Sequence, residues 1–565
     1  MTGLPEHFER VAAAHPDKIA VHDAGGSLTY GELLRAATEA AWALRAWDVE
    51  PGDRVGVYGQ AGRDSIVAML GTAFAGASYV PIDPTYPAER ARWMAETAGA
   101  RLLLLTDDHS ADLGLPARHV KEMAGHAPAE LAPSAPDAVL YTMYTSGSSG
   151  QPKPVAVPQR GIVRLARPSL FSVGPDDGVL ATATLAFDSS ALEIWCSLLS
   201  GATVFCVRAS ASSLHALATT MADPRVTVAH PSPSIFALMV DHHLDALGSL
   251  RLVTSGGDVM SVTHATRLLA AHPGVRLVNT YGPTEASVIS AAFDVARWDG
   301  AECATMPIGF PAAGAELSVV DEDLREVEDG TPGELLIGGD RLALGYAGEP
   351  DLTASRFVPF AGATAYRTGD RVRLLPSGAL EFLGRLDDEV KVRGYRVNPA
   401  ESAAVLAADP AVAEAVVVAV GEPGARSLVG FVRSDAAVAD LRERAWARAP
   451  RHVVPEHVVV VAEFPTGPTG KVDKRALAEL WERGREVPAE DDSLQGDAAE
   501  LARLWTKLAG GPPEPGQDFF HSGGTSLGLI RLIEEISARY GVELDFAEVY
   551  GMRSFDELRD MVVSS

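Results

Sequence analysis

Thr145-Ser146-Gly147-Ser148-Ser149-Gly150-Gln151-Pro152-Lys153 follows the apolar run Ala138 to Tyr141. Small residues let backbone N–H groups come close to a phosphate, the hydroxyls donate further hydrogen bonds, and Lys153 supplies charge. The Gly-Lys-Ser order of a Walker loop is absent. A flexible linker is also rich in serine and glycine, but it fits poorly between two patterned segments with a lysine at its end. Outward from this loop, Val55 to Tyr58, Leu102 to Leu105, Val226 to Val228 and Leu252 to Thr254 read as buried strands, and Asp64 to Ala75 as a helix. Such alternation predicts α/β layers with largely parallel sheets over residues 1–386.

The pattern changes from Gly333 to short strands with glycine turns: Glu334 to Ile337, Arg371 to Leu374, Ala379 to Leu383. A smaller α/β unit is expected over 387–484, with Val390 to Val392, a helical Ala400 to Ala408 and the apolar run Ala415 to Val420. Residues 485–496, with Pro488, Glu490, Asp491 and Asp492, read as a linker. Residues 497–565 carry the helical patterns of a small all-α bundle. Within them stands Asp518-Phe519-Phe520-His521-Ser522-Gly523-Gly524-Thr525-Ser526-Leu527. The glycine pair permits a sharp turn. Leu527, Leu529, Ile530, Leu532, Ile533 and Ile536 then follow at helical spacing. Ser526 is thus expected at a helix N-terminus, where bare N–H groups and the dipole favour a phosphate. The plainer alternative is that Ser526 is only an N-cap.

The chain has 565 residues, enough for three or four folding units. Its net charge of −27 argues against nucleic acid or an anionic membrane as partner, but not against a nucleotide held by local cations. From Asp492 onward, six basic and thirteen acidic residues leave −7 on the last segment. No apolar run approaches the ~18 residues of a spanning helix. No signal peptide is visible from Met1 to Arg10, so a cytoplasmic location is expected. Cys196, Cys206 and Cys303 are scattered, with neither disulfide nor zinc spacing.

The phosphate loop resembles that of the adenylate-forming superfamily, which includes acyl-CoA synthetases, luciferases and nonribosomal peptide adenylation domains. Further strings match in order. They are Leu28-Thr29-Tyr30-Gly31-Glu32-Leu33, Ala77-Ser78-Tyr79-Val80-Pro81-Ile82-Asp83, Phe187-Asp188-Ser189-Ser190 and Asn279-Thr280-Tyr281-Gly282-Pro283-Thr284-Glu285. Tyr366-Arg367-Thr368-Gly369-Asp370, Gly384-Arg385-Leu386-Asp387 and Pro468-Thr469-Gly470-Lys471-Val472-Asp473 complete the series. The string around Ser526 resembles the phosphopantetheine attachment site of a peptidyl carrier protein. Together they imply the fold of a large α/β core with a small mobile subdomain, followed by a four-helix carrier bundle.

The resemblance also implies roles. Thr145, Ser146, Gly147, Ser148 and Lys153 hold the phosphates of ATP, with Thr284 nearby. Glu285 binds Mg²⁺. Tyr281 stacks on adenine and Asn279 bonds its amino group. Asp370, assisted by Arg385, binds the ribose. Lys471 bridges the substrate carboxylate and the α-phosphate. Asp387 is a hinge whose rotation swaps Lys471 for the Lys391-to-Gly394 face, and Ser526 carries 4'-phosphopantetheine. Two residues depart from the pattern: Pro154 stands where the family has Gly, and Gln159 where it often has His. Both are expected to flank the phosphates and at most slow the reaction.

Asp188 resembles the aspartate that pairs with a substrate α-ammonium, which favours an α-amino acid over a fatty or aryl acid. The remaining specificity positions are Ser189, Leu192, His230, Val253, Ser255, Thr280, Val288 and Ile289. None is acidic, so a charged side chain has no partner. A neutral residue with one polar group fits, tyrosine-like for example; serine, threonine and proline-like acids stay open. The resemblance implies loading onto the chain's own carrier after modification by a phosphopantetheinyl transferase. The loaded acid would pass in trans to a tailoring enzyme or another synthetase, with or without an MbtH-type helper. Two other readings remain: an acyl-CoA synthetase using free coenzyme A, and a non-catalytic carrier scaffold.

Overall fold

The computed structural model describes residues 2–563 apart from 107–108, 132, 147–150, 208–213, 388, 393, 422–425, 435–437, 466–471, 485–495, 514–515, 521, 543, 545–548, 550–551 and 553. Among these residues, one sheet has seven strands. Edge to edge it runs Gly345–Tyr346, Lys153–Pro158, Val139–Thr145, Ser78–Ile82, Arg54–Tyr58, Ala100–Leu105 and Ala117–His119. The last five are parallel to one another. Val139–Thr145 and Lys153–Pro158 pair antiparallel with Thr145 opposite Lys153, so these two strands run side by side up to the Ser/Gly-rich stretch between them.

A second sheet of nine described strands runs Phe310–Pro311, Ala291–Asp294, Arg276–Tyr281, Leu252–Gly256, Val228–Ala229, Gly178–Ala181, Thr203–Cys206, Ile19–Asp23 and Gly26–Thr29. From Arg276–Tyr281 to Ile19–Asp23 all neighbours are parallel. The strand expected at Val226 to Val228 forms at Val228–Ala229. Ser78–Ile82 and Gly178–Ala181 are buried throughout, as parallel strands covered on both faces must be. The first motif acts structurally here. Thr29 Oγ1 accepts from Glu32 N at 3.2 Å and the Glu32 carboxylate accepts from Thr29 N at 2.8 Å. This capping box starts the helix Tyr30–Ala46.

An antiparallel sheet of five described strands follows, built from Glu316–Val320, Gly333–Gly338, Phe357–Phe360, Ala363–Leu374 and Leu380–Arg385. Beyond it come the hairpin Val390–Val392/Tyr395–Val397, the helix Pro399–Ala407, strands Val412–Val420, Ser427–Ser434 and His457–Val460, and the helix Lys474–Gly484. Most of 485–496 lies outside the described residues. Helices Asp497–Ala509, Ser526–Tyr540 and Phe555–Val563 pack around Leu501, Trp505, Phe519, Leu529, Leu532 and Leu558. The α/β core with an all-α last segment is as the sequence predicts.

Candidate active site and acyl path

Parallel strands of the nine-stranded sheet end on one side, and the segments after their carboxyl ends line a cavity of about 150 Å³. This is where open parallel sheets commonly take ligands. Asp188, Ser189, Leu192, His230, Thr280, Val288 and Ile289 all line it. Asp188 accepts from Thr284 Oγ1 at 2.6 Å. Burial raises its carboxyl to about 6, against the pull of that hydrogen bond. His230 Nδ1 shares a hydrogen bond with Thr254 Oγ1, and burial pushes the ring down to about 4, so it is neutral near pH 7. Val253 and Ser255 do not line the cavity. Side chains alternate along Leu252–Gly256, and Thr254 and Gly256 hold the cavity-facing places. Thr254 is therefore a lining residue that the carried-over positions missed.

A second cavity of about 660 Å³ opens beside Asn279, Tyr281 and Arg385. The Tyr281 hydroxyl donates to Asp370, which also pairs with Arg385. Asn279 Nδ2 donates to Pro307 O at 2.8 Å. Arg385 reaches Asp387 as well, with Nε 2.6 Å from Oδ1, and Arg356 approaches Asp387 at 3.6 Å. The expected ribose and hinge residues thus form one ion-pair chain at the junction with the small α/β unit.

At the phosphate end, Thr145 and Ser146 line the first cavity, and Thr145 Oγ1 is buried without a hydrogen-bond partner among the described residues. Gly147, Ser148 and Lys471 lie outside the described residues. Lys153 pairs with Glu389 at 3.3 Å. Glu285 is fully buried, accepts from the Tyr346 hydroxyl at 2.9 Å and pairs with Arg396 at 3.4 Å. Burial alone would raise the Glu285 carboxyl, but Arg396 and Lys153 hold it below the usual range. Gln159 does not flank this site. It opens the helix Gln159–Leu165 just past the other end of the Lys153–Pro158 strand, roughly 20 Å along the chain from Lys153 at ~3.3 Å per residue. Its Oε1 accepts from Leu4 N and Ser134 Oγ, each at 2.8 Å, so it ties down the N-terminal segment. Pro154 forms part of the same strand, and its carbonyl accepts from Ala347 N at 2.8 Å.

The small α/β unit presents its Val390–Val392/Tyr395–Val397 hairpin to the core. Lys391 Nζ stands 5.4 Å from the Tyr281 ring centre, and Ser146 Oγ donates to Arg396 O. The Tyr395 ring packs 5.0 Å from Phe187 and stacks on His452 at 4.2 Å. A third cavity of about 500 Å³ shares Phe187, Ser189, His230 and Tyr395 with the first and extends to Phe520 and Ile530 of the last segment. That segment is docked. Arg442 pairs with Asp518 at 2.9 Å and lies 5.4 Å from the Phe520 ring, while His243 meets Glu534 at 2.9 Å. Ser526 opens its helix one turn before Ile530, about 6 Å along the axis. The N-cap is Thr525, whose Oγ1 accepts from Gly528 N at 2.9 Å, so the plainer role for Ser526 is already filled. Tyr395, Glu389 and Arg396 were not singled out from sequence. The alternation Asp387, Glu389, Lys391 along an edge was the available signal.

Residues 8–347 match the AMP-binding enzyme family. This chain belongs to the AMP-binding enzymes. Residues 401–471 match the C-terminal domain of the same enzymes, and 499–562 match the phosphopantetheine attachment site family. A linear gramicidin synthase polypeptide of Brevibacillus parabrevis is 36% identical over 98% of this AMP-binding chain, which spans 11% of that synthase. Phosphinothricin tripeptide synthetase PhsC of Streptomyces viridochromogenes is 36% identical over 96% of the chain, which spans 51% of it. Among solved structures, holo-PA1221, a nonribosomal peptide synthetase protein with adenylation and carrier domains bound to a vinylsulfonamide inhibitor, superposes with a TM-score of 0.89. It is 31% identical, covering 100% of this chain and 97% of that one. The fold is that of an adenylation–carrier didomain. Among the described residues, no helix is long and apolar enough to cross a membrane.

Proposed function

We propose that this chain uses ATP to convert a neutral α-amino acid to its aminoacyl adenylate, and then loads it as a thioester at Ser526. The observation that carries this reading is the pair of adjoining cavities, which run from Asp188 to Phe520 and Ile530, one helical turn from Ser526. In the first step, a substrate carboxylate oxygen attacks the α-phosphorus of ATP and pyrophosphate leaves. Asp188 holds the substrate ammonium and Thr284 fixes the Asp188 carboxylate. The orphaned Thr145 hydroxyl and Ser146 donate to phosphate oxygens, Lys153 offsets their charge, and Lys471 steadies the developing charge. Asp370, Arg385, Tyr281 and Asn279 hold the nucleoside.

Glu285 fits Mg²⁺: it is a buried, ionised carboxylate beside the phosphate loop, and a hard cation shared with phosphates needs few protein oxygens. The metal, when bound, offsets phosphate charge. The helix opening at Ser526, capped by Thr525 and set beside the 500 Å³ cavity, fits attachment of phosphopantetheine. That group, when attached, supplies the thiol that receives the acyl group as AMP leaves. Tyr395, Phe187 and His452 wall the path and keep water away from it.

His230 is neutral and Thr254 holds one of its ring nitrogens, and apart from Asp188 none of the carried-over positions that line the cavity is charged. This supports a neutral side chain with one polar group, tyrosine-like for example. Residues 1–386, 387–484, 485–496 and 497–565 would then be the core, the mobile subdomain hinged at Asp387, the linker and the carrier. The product would pass to a second protein in trans. ATP–pyrophosphate exchange across the common amino acids tests the reading. One or two neutral acids should stand out at least tenfold; exchange only with charged acids, or with none, would overturn it.

A further inference from the structure

Two fully buried carboxylates, Glu285 and Glu389, face each other across the phosphate end. Arg396 bridges them, with Nη1 3.4 Å from Glu285 and Nε 2.5 Å from Glu389. Lys153 lies 3.3 Å from the second oxygen of Glu389, and Arg385 2.9 Å from the first. Glu285 and Lys153 belong to the core, whereas Glu389 immediately precedes, and Arg396 lies within, the hairpin that the small unit inserts. Buried charges on the core need partners whichever way the small unit stands, because one left alone is strongly unfavourable.

We propose that Arg396 and Glu389 are an internal stand-in for magnesium pyrophosphate, the guanidinium replacing the cation at Glu285 and the carboxylate replacing phosphate at Lys153. This rests on the adenylation reading above. Two further observations fit it. Ser146 of the phosphate loop spends its hydroxyl on the Arg396 carbonyl, and the Lys391 ammonium stands over the Tyr281 ring. Burial alone would raise the Glu389 carboxyl, but Arg396, Lys153 and Arg385 hold it down at about 2, so the stand-in stays charged. The inserted hairpin and magnesium pyrophosphate then exclude one another. The loading arrangement closes only on a site that pyrophosphate has left, and pyrophosphate binds only the fraction of molecules with the hairpin withdrawn.

The test is calorimetric titration of the full chain with Mg²⁺ and inorganic pyrophosphate, with no amino acid present. Glu389→Gln and Arg396→Gln remove the competitor's charge, so each should bind at least fivefold tighter than wild type. Glu389→Asp should stay within twofold of it. A residue with a merely structural role would not raise affinity when lost. Hydrogen exchange at amides 390–397 of the wild type gives a reading that needs no variant, and it should speed up on adding Mg²⁺ and pyrophosphate. Unchanged or weaker binding by folded variants, or unchanged exchange in the wild type, overturns the inference alone. No binding by any form overturns it together with the adenylation reading.

Discussion

Replacing Asp188 with alanine tests how the pocket holds its substrate. Burial lifts the Asp188 carboxyl from 3.8 to about 6. At ~1.36 kcal/mol per pH unit, the surroundings oppose the ionised form by roughly 3 kcal/mol, even with Thr284 donating at 2.6 Å. A substrate ammonium against this carboxylate relieves that opposition and is itself desolvated. With alanine the ammonium enters unpaired, and breaking such a buried pair costs roughly 2–5 kcal/mol. The expected loss in kcat/KM for the amino acid is therefore roughly 30-fold to several thousand-fold. The assay is ATP–pyrophosphate exchange with the amino acid varied at saturating ATP, and then the reverse. The KM for ATP should change by less than about threefold, since the nucleoside residues form a separate cluster around Tyr281 and Asp370. Asp188→Asn keeps an acceptor for Thr284 and isolates the charge. Activity within threefold of wild type for both variants would refute the assignment of Asp188 to the ammonium.

Other consequences can be measured. Lys471→Ala should lower exchange ~10²-fold or more while ATP still binds, as loss of a transition-state cation does; exchange within a few-fold of wild type would count against its role. The raised carboxyl of Asp188 protonates as pH falls through about 6, so kcat/KM for the amino acid should drop about tenfold per pH unit below that point. Asp188→Asn should abolish this slope, and His230, neutral down to about 4, should add none between pH 5 and 8. Arg442→Ala removes the 2.9 Å ion pair with Asp518 and the guanidinium contact with the Phe520 ring. Loading of the carrier should slow about tenfold while exchange holds, measured by following thioester formation with radiolabelled amino acid.

Much of the fold was readable because its signals are local. Thr29 and Glu32 at capping-box spacing start a helix, and the apolar runs at Val55 and Leu102 are strands of the parallel sheet. The glycine pair before Thr525 marks the turn into the helix at Ser526. What local pattern does not carry is which face of a strand meets a cavity, hence Thr254 in place of Val253 and Ser255. Gln159 was misplaced for a related reason: position after a motif lysine says nothing of which end of the strand the side chain serves. Glu389 and Arg396 were harder to read because their core partners, Lys153 and Glu285, stand 236 and 111 residues away from them in sequence.

The most direct measurement is the intact mass of the chain after a pantetheinyl transferase, coenzyme A, ATP and the preferred amino acid have been supplied in turn. The wild type should gain one phosphopantetheine and then one aminoacyl group. Ser526→Ala should gain neither, yet still catalyse ATP–pyrophosphate exchange at the wild-type rate, since among the described residues the hydrogen-bond partners Thr284, Tyr281 and Tyr346 of Asp188, Asp370 and Glu285 all lie outside the last segment. An unmodified wild type under conditions that convert a control carrier, or an aminoacylated Ser526→Ala chain, would contradict the path from Asp188 to Ser526.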